Sequence, residues 1–294
     1  MKLGVMFANT AMGLDFDEIQ RLVVGLEDAG FDTFSSNDHV IGGHPDRSDG
    51  VTMNTVDTAV HEPIVLLSML AAVTSRIELT TAILIAPQRQ TVLLAKQTAQ
   101  LDLLSKGRLR LGVGVGRNWI EYESLGQDFT TRGKRMEEQV EVLRMLWSQE
   151  LVSYEGRFHH LDRVGINPRS QRGNIPIWMG SYFKSISEVV LERIGRVADG
   201  WMPQFPPEVL APVLERVRGY ASDAGRDPNE LGIECGIRAK SSDEPDEWIR
   251  LANEYQRLGA THLKVMPTLP PGSSTDEQLE LATRWYETVG PEIR

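Results

Sequence analysis

Asp38 and His39 stand side by side in the stretch SSNDHV. A carboxylate next to an imidazole suits proton transfer, or hydrogen bonding to a heteroaromatic cofactor, because histidine titrates near neutral pH. Three other stretches gather small or polar groups. Thr80-Thr81-Ala82-Ile83 lies in a β-branched run. Gly112, Gly114 and Gly116 alternate with Val113 and Val115 and are followed by Arg117 and Asn118. Gly180 and Ser181 precede a helical pattern. A Gly-Ser pair at a helix start suits a phosphate, since backbone N–H groups and the helix dipole face the anion; it equally suits an ordinary serine cap.

The glycine run differs from a dinucleotide fingerprint, which needs G-x-G-x-x-G between strand and helix with an acidic residue about 20 positions on. Here the form is G-x-G-x-G, and the long helical pattern begins only near residue 131. Glycines at alternate positions bare one face of a strand. That face admits a flat ring close to the backbone, or close packing by a neighbouring element. Arg117 and Asn118 are candidates for holding an anionic tail or substrate, or else make a contact at a helix start. His44 and His61 either line a substrate mouth or stand in solvent. Lys264, in THLKVMP, is the strand-end lysine that a phosphate-handling lyase or isomerase would need.

The elements that must position these residues alternate along the whole chain. Strand-like segments at 2–8, 32–39, 76–86, 108–116, 175–180, 199–204, 230–237 and 261–267 are each followed by a helical pattern. The helices fall at 16–30, 62–75, 91–105, 131–148, 184–196, 207–225, 245–259 and 274–289. Asp15 is placed to cap the first helix and Gly30 to stop it. Met136, Val140, Leu143 and Trp147 fall on one helical face. Eight strand–helix units predict an α/β chain folded as a (β/α)8 TIM barrel, a fold of about 250 residues or more with its chemistry at the strand C-terminal ends. The chain is read as one domain, 1–294, with loop insertions at about 40–61 and 151–174. These two loops are expected to set the substrate.

Of 294 residues, 41% are hydrophobic and 24% charged, as in a soluble globular protein. A net charge of −10 argues against nucleic acid as a partner. The lone Cys235 excludes an internal disulfide and a cysteine zinc site, and reads as an inert core thiol. No metal is expected. No segment approaches the ~20 apolar residues of a membrane span, and the N-terminus lacks a secretion signal, so a cytoplasmic protein without membrane partners is expected. The helices at 62–75 and 91–105 are more apolar than outer barrel helices need to be, which predicts a homodimer through them.

The stretches SSNDHV (35–40), RIELTTAIL (76–84), LLAKQTAQLDLLSKGRLRLGVGVGRNWIEYESLG (93–126) and IPIWMGSYF with RVADGWMP (175–203) resemble the luciferase-like monooxygenase superfamily, in its branch that uses the deazaflavin coenzyme F420. The resemblance covers nearly the whole chain. It implies a bacterial-luciferase-like barrel, usually dimeric, with a flavin or deazaflavin on the C-terminal rim. It assigns Asp38 and His39 to ring contact and proton transfer. Thr81, Ala82 and Ile83 fall at a non-proline cis peptide that bulges against the ring. Val115 and Gly116 fall at ring and ribityl contacts, and Gly180 and Ser181 at the phosphate. On this basis the glycine run is a bare strand face against a tricyclic ring. The chain departs from the pattern at Arg117, where relatives often carry an acidic residue, and at Ala82, where Gly or Ser is common. The expected activity is F420-dependent hydride transfer to or from a small organic substrate. The alternative is an FMN-dependent monooxygenase of the same superfamily, and a further one is a barrel that binds deazaflavin without catalysis.

Overall fold

The computed structural model describes residues 1–8, 15–47, 54–185 and 187–293. Nine strands form one parallel sheet: β1 Lys2–Met6, β2 Thr33–Ser36, β3 Glu78–Thr81, β4 Leu84–Ile85, β5 Leu109–Gly114, β8 Ile177–Tyr182, β9 Gly200–Gln204, β10 Gly232–Ala239 and β11 His262–Pro267. The sheet closes on itself, because β1 pairs with β11 and β3 with β5. The third barrel strand is split. β3 and β4 flank Ala82–Ile83, whose peptide is cis, and both halves pair with β5. Counted that way, the barrel is the eight-stranded cylinder that the sequence predicts.

The helices are α1 Phe16–Asp28, α2 Pro63–Val73, α3 Thr91–Leu104, α4 Trp119–Ser124, α5 Arg132–Ser148, α6 Glu188–Val197, α7 Pro207–Asp223, α8 Pro245–Arg257 and α9 Thr275–Ile293. Their ends follow local chemistry. Asp15 accepts from the amides of Asp17 and Glu18 at the start of α1, and Gly30, at φ +99°, turns the chain out after it. Glu62 caps α2 by accepting from Val65 N at 2.7 Å, with Pro63 at the first helical position. On α5, Met136, Val140, Leu143 and Trp147 are all buried, as their spacing requires.

Two features depart from the sequence reading. The stretch expected to be a loop excursion at 151–174 contains an antiparallel hairpin, β6 Val152–Glu155 and β7 His160–Val164. Most of its side chains face solvent, so no apolar alternation marks it. The short helix α4 intervenes between β5 and α5; six residues are too few to show a helical period. Part of the expected insertion at 40–61, residues 48–53, lies outside the described residues.

Inside the barrel, side chains alternate with the strand period of two. On β5, Leu109, Leu111 and Val113 join the apolar core, while Arg110 takes the other face. Arg110 is fully buried. It pairs with Glu78 of β3 at 2.6 Å and with Glu234 of β10, and its guanidinium lies 4.2 Å from the Trp178 ring. Lys264 of β11 completes the network, donating to Glu234 at 2.6 Å. The lysine that a lyase would use as a nucleophile is therefore a buried counter-ion. Cys235 is buried, and burial pushes its thiol upward, which makes it inert.

Candidate active site

The break in the third strand organises the C-terminal rim. Ala82 N donates to Ser36 O at 2.7 Å, and Thr81 Oγ1 donates to Gly112 O at 2.7 Å, so the break is stitched to β2 on one side and β5 on the other. Beyond it, Ile85 N donates to Asp38 Oδ2 at 2.9 Å. The side chain of Ile83 fills the space beside two glycines. A Cβ on Gly114 would lie 2.7 Å from Ile83 Cδ1, and one on Gly180 would lie 2.5 Å from Ile83 Cγ2. A Cβ on Gly112 would meet Thr81 O at 2.0 Å, and one on Gly116 would meet Ile85 Cγ2 at 2.8 Å.

Of the two uses that a bare glycine face admits, the packing shows one: the third strand's own backbone, Ile83 and Ile85 lie against Gly112, Gly114 and Gly116 at the break. Gly116 has φ +61° and turns the chain from β5 toward α4. Val115 is partly buried, and its carbonyl accepts from Tyr122 OH at 2.6 Å.

Gly180 and Ser181 lie at the C-terminal end of their strand, as expected, but farther from the helix that follows. Both belong to β8, paired with Met202 and Pro203 of β9, and α6 begins only at Glu188. Ser181 Oγ accepts from Trp201 Nε1 at 2.7 Å. The Gly-Ser pair is thus part of the sheet and does not stand at a helix N-terminus. Arg117 is exposed, with its guanidinium 5.2 Å from the Tyr182 ring, so it links the ends of β5 and β8.

Asp38 and His39 lie just past β2, and they serve different partners. Asp38 is 2% exposed. Besides Ile85 N, it accepts from Arg89 Nη2 at 2.8 Å, and Arg89 Nη1 reaches Glu62 Oε1 at 2.7 Å. Burial outweighs the pull of Arg89 and holds the Asp38 carboxyl above its ordinary range. The imidazole of His39 meets a different carboxylate, Glu121, whose Oε1 lies 3.2 Å from His39 Nδ1 and accepts from Val40 N at 2.8 Å. Glu121 is 0% exposed, and its Oε2 has no partner among the described residues. Asn118, the first-turn cap position of α4, is buried with both side-chain polar atoms unpartnered among those residues.

His44 is exposed and accepts from Asp46 N. His61 lines a cleft of about 280 Å³ between α1 and α2, with its ring 6.0 Å from Phe7, and burial lowers its pKa. Sequence reasoning missed Arg89 and Glu121. Arg89 sits in the polar run Gln88-Arg89-Gln90, which reads as a turn. Glu121 sits in WIEYES, where an acidic residue among large apolar ones was the only sign of burial.

The chain matches the luciferase-like monooxygenase family over residues 1–288, and it belongs to that family. It is 30% identical over 256 residues to an uncharacterized protein of Mycobacterium tuberculosis, covering 85% of this chain and 86% of the relative. It is 35% identical over 198 residues to a phthiodiolone/phenolphthiodiolone dimycocerosates ketoreductase of the same species, covering 64% of this chain and 51% of that relative. Among solved structures it is similar to the monooxygenase RslO1 of Streptomyces bottropensis, with a TM-score of 0.80 at 21% identity and 100% of both chains covered. It is equally similar to an F420-dependent secondary alcohol dehydrogenase in complex with an F420-acetone adduct, with a TM-score of 0.80 at 16% identity and 98% of both chains covered. Among the described residues, no helix is long and apolar enough to cross a membrane.

Proposed function

We propose that this chain is an F420-dependent oxidoreductase that moves a hydride between the deazaflavin and a small organic carbonyl or alcohol. One observation carries the reading: a partly exposed imidazole, His39, is hydrogen-bonded to a buried carboxylate at the strand C-terminal rim, next to the third-strand break. That rim is where (β/α)8 enzymes keep their chemistry. The residues present fit a heteroaromatic cofactor in one respect. Asn118 and Glu121 Oε2 are buried polar groups without partners, and a ring edge bearing donors and acceptors would satisfy them. A bound deazaflavin supplies the hydride carrier.

The chain's own residues do the rest. His39 gives or takes the proton that accompanies hydride transfer at the substrate oxygen. Arg89 and Asp38 hold the backbone at Ile85, which keeps the rim beside the break in one shape. Ala82, Ile83, Val115, Gly116, Arg117, Gly180 and Ser181 are then the backbone and side chains around the ring and its tail, with Thr81 fixing the break from below. The ketoreductase relative supports a carbonyl substrate, and the alcohol dehydrogenase neighbour supports F420.

The alternative is an FMN-dependent monooxygenase; the likeness to the monooxygenase RslO1 supports oxygenation as the reaction, whichever flavin serves it. Equilibrium titration of the purified chain with each cofactor, followed by dialysis, separates the two. Retention of F420 with no retention of FMN is expected; retention of FMN alone would reverse the assignment.

A further inference from the structure

We propose that Glu121 is the positioning residue for His39: it holds the imidazole proton on Nδ1 and leaves Nε2 as the nitrogen that exchanges a proton with substrate. This rests on the oxidoreductase reading above. Three observations carry it.

The first is the shared atom. Glu121 Oε1 accepts from Val40 N at 2.8 Å and lies 3.2 Å from His39 Nδ1. The main-chain bond to the very next residue fixes where that oxygen stands relative to the imidazole. A carboxylate is only an acceptor, so Nδ1 must carry the hydrogen, and the lone pair is left on Nε2. A histidine without such a partner populates both tautomers.

The second is rigidity. Glu121 is completely buried on α4, and its neighbour Tyr122 is tied to Val115 O at 2.6 Å. Leu125 N donates to Glu121 O at 3.0 Å, within the helix. The support for a loop of the second strand–helix unit therefore comes from a helix of the fourth.

The third is the disposition of the other carboxylate. Asp38, adjacent in sequence, has both oxygens engaged by Ile85 N and Arg89. It cannot turn to the imidazole without abandoning a buried ion pair, which is strongly unfavourable. Orientation of a general acid or base by a third group is the same logic that makes a catalytic triad work.

The test is the 15N spectrum of histidine-labelled protein without cofactor at pH 8, with His39 assigned by difference from His39→Gln. Wild type is expected to show His39 protonated on Nδ1 and bare on Nε2. Glu121→Gln keeps at the shared position an oxygen that accepts from both Val40 N and Nδ1–H, so it should hold the tautomer. Glu121→Met removes the acceptor altogether and should release it. The Met variant should lose on the order of 100-fold in kcat with reduced F420 and a ketone, while KM changes far less, and the Gln variant should keep most of the turnover. A wild-type His39 protonated on Nε2, or an unchanged tautomer in the Met variant, would overturn the proposal. Turnover with F420 by a wild type whose tautomer is wrong would reject the positioning role alone. A locked Nδ1–H tautomer in a chain that neither binds nor uses F420 would reject the cofactor reading alone.

Discussion

Arg89 Nη2 donates to Asp38 Oδ1 across 2.8 Å, in a pair of which the carboxylate is almost wholly buried. Through Ile85 N, the same carboxylate holds the chain just after the break in the third strand. Removing one member of a buried pair leaves the other charge uncompensated, at a cost of about 3–5 kcal/mol. Arg89→Met should therefore destabilise the fold by about 3 kcal/mol in urea unfolding. Asp38→Asn should cost less, because an amide oxygen still accepts from Ile85 N and the Arg89 charge keeps Glu62 as its counter-ion. Equal losses for the two variants would contradict this account of the pair.

The inward pressure of the third strand is tested by volume. A methyl group on Gly180 collides with Ile83 Cγ2, so Gly180→Ala should cost about 1–3 kcal/mol by overpacking. Ile83→Ala removes the colliding atoms. The double variant Gly180→Ala, Ile83→Ala should then be more stable than the sum of the single losses predicts. Strict additivity in thermal unfolding would mean that the two side chains do not share that space.

His262 gives a pH dependence with a definite sign. Its ring packs edge-on against Trp178 at 4.8 Å, and burial, with the charge of Arg110, lowers its pKa from an ordinary 6.5 to about 3. Between these values the unfolded chain binds a proton that the folded chain refuses, so stability falls as pH falls. The slope from this one group is at most about 1.4 kcal/mol per pH unit. His262→Gln should flatten the loss between pH 6 and pH 4 in denaturant titrations. A variant with the same slope as wild type would show that His262 is not its source.

The helix α2 packs on α3, and both leave large apolar side chains in solvent. Val65 is 58% exposed and Leu93 52%, with Met69 and Val92 beside them in sequence terms. A second copy of the chain covering this face would remove them from water. Light scattering should report a dimer for wild type and a monomer for Val65→Glu combined with Leu93→Glu. A wild-type monomer would refute this.

The repeating strand–helix units were legible because their signal is redundant: eight apolar runs, each with its own helix, leave few architectures. The helical face of Met136, Val140, Leu143 and Trp147 was legible for the same reason. What escaped were features set by single long-range contacts. Nothing local tells that Ile83 points at Gly114 and Gly180, so the glycines alone left ligand contact and close packing equally open. Glu121 is 82 positions from His39, and only the folded barrel brings α4 over the loop after β2. Ser181 looked like a helix cap because the helical pattern follows closely, whereas the strand runs on to Tyr182.

Isotope transfer tests the central claim most directly. Reduced F420 carrying deuterium at C5 is mixed with the protein and a panel of ketones without oxygen, and the alcohol products are examined by mass spectrometry and NMR. Deuterium bound to the carbinol carbon, absent when His39→Gln replaces wild type, is the result this account predicts. Products formed only with reduced FMN and oxygen, carrying an atom of 18O from labelled oxygen gas, would contradict it.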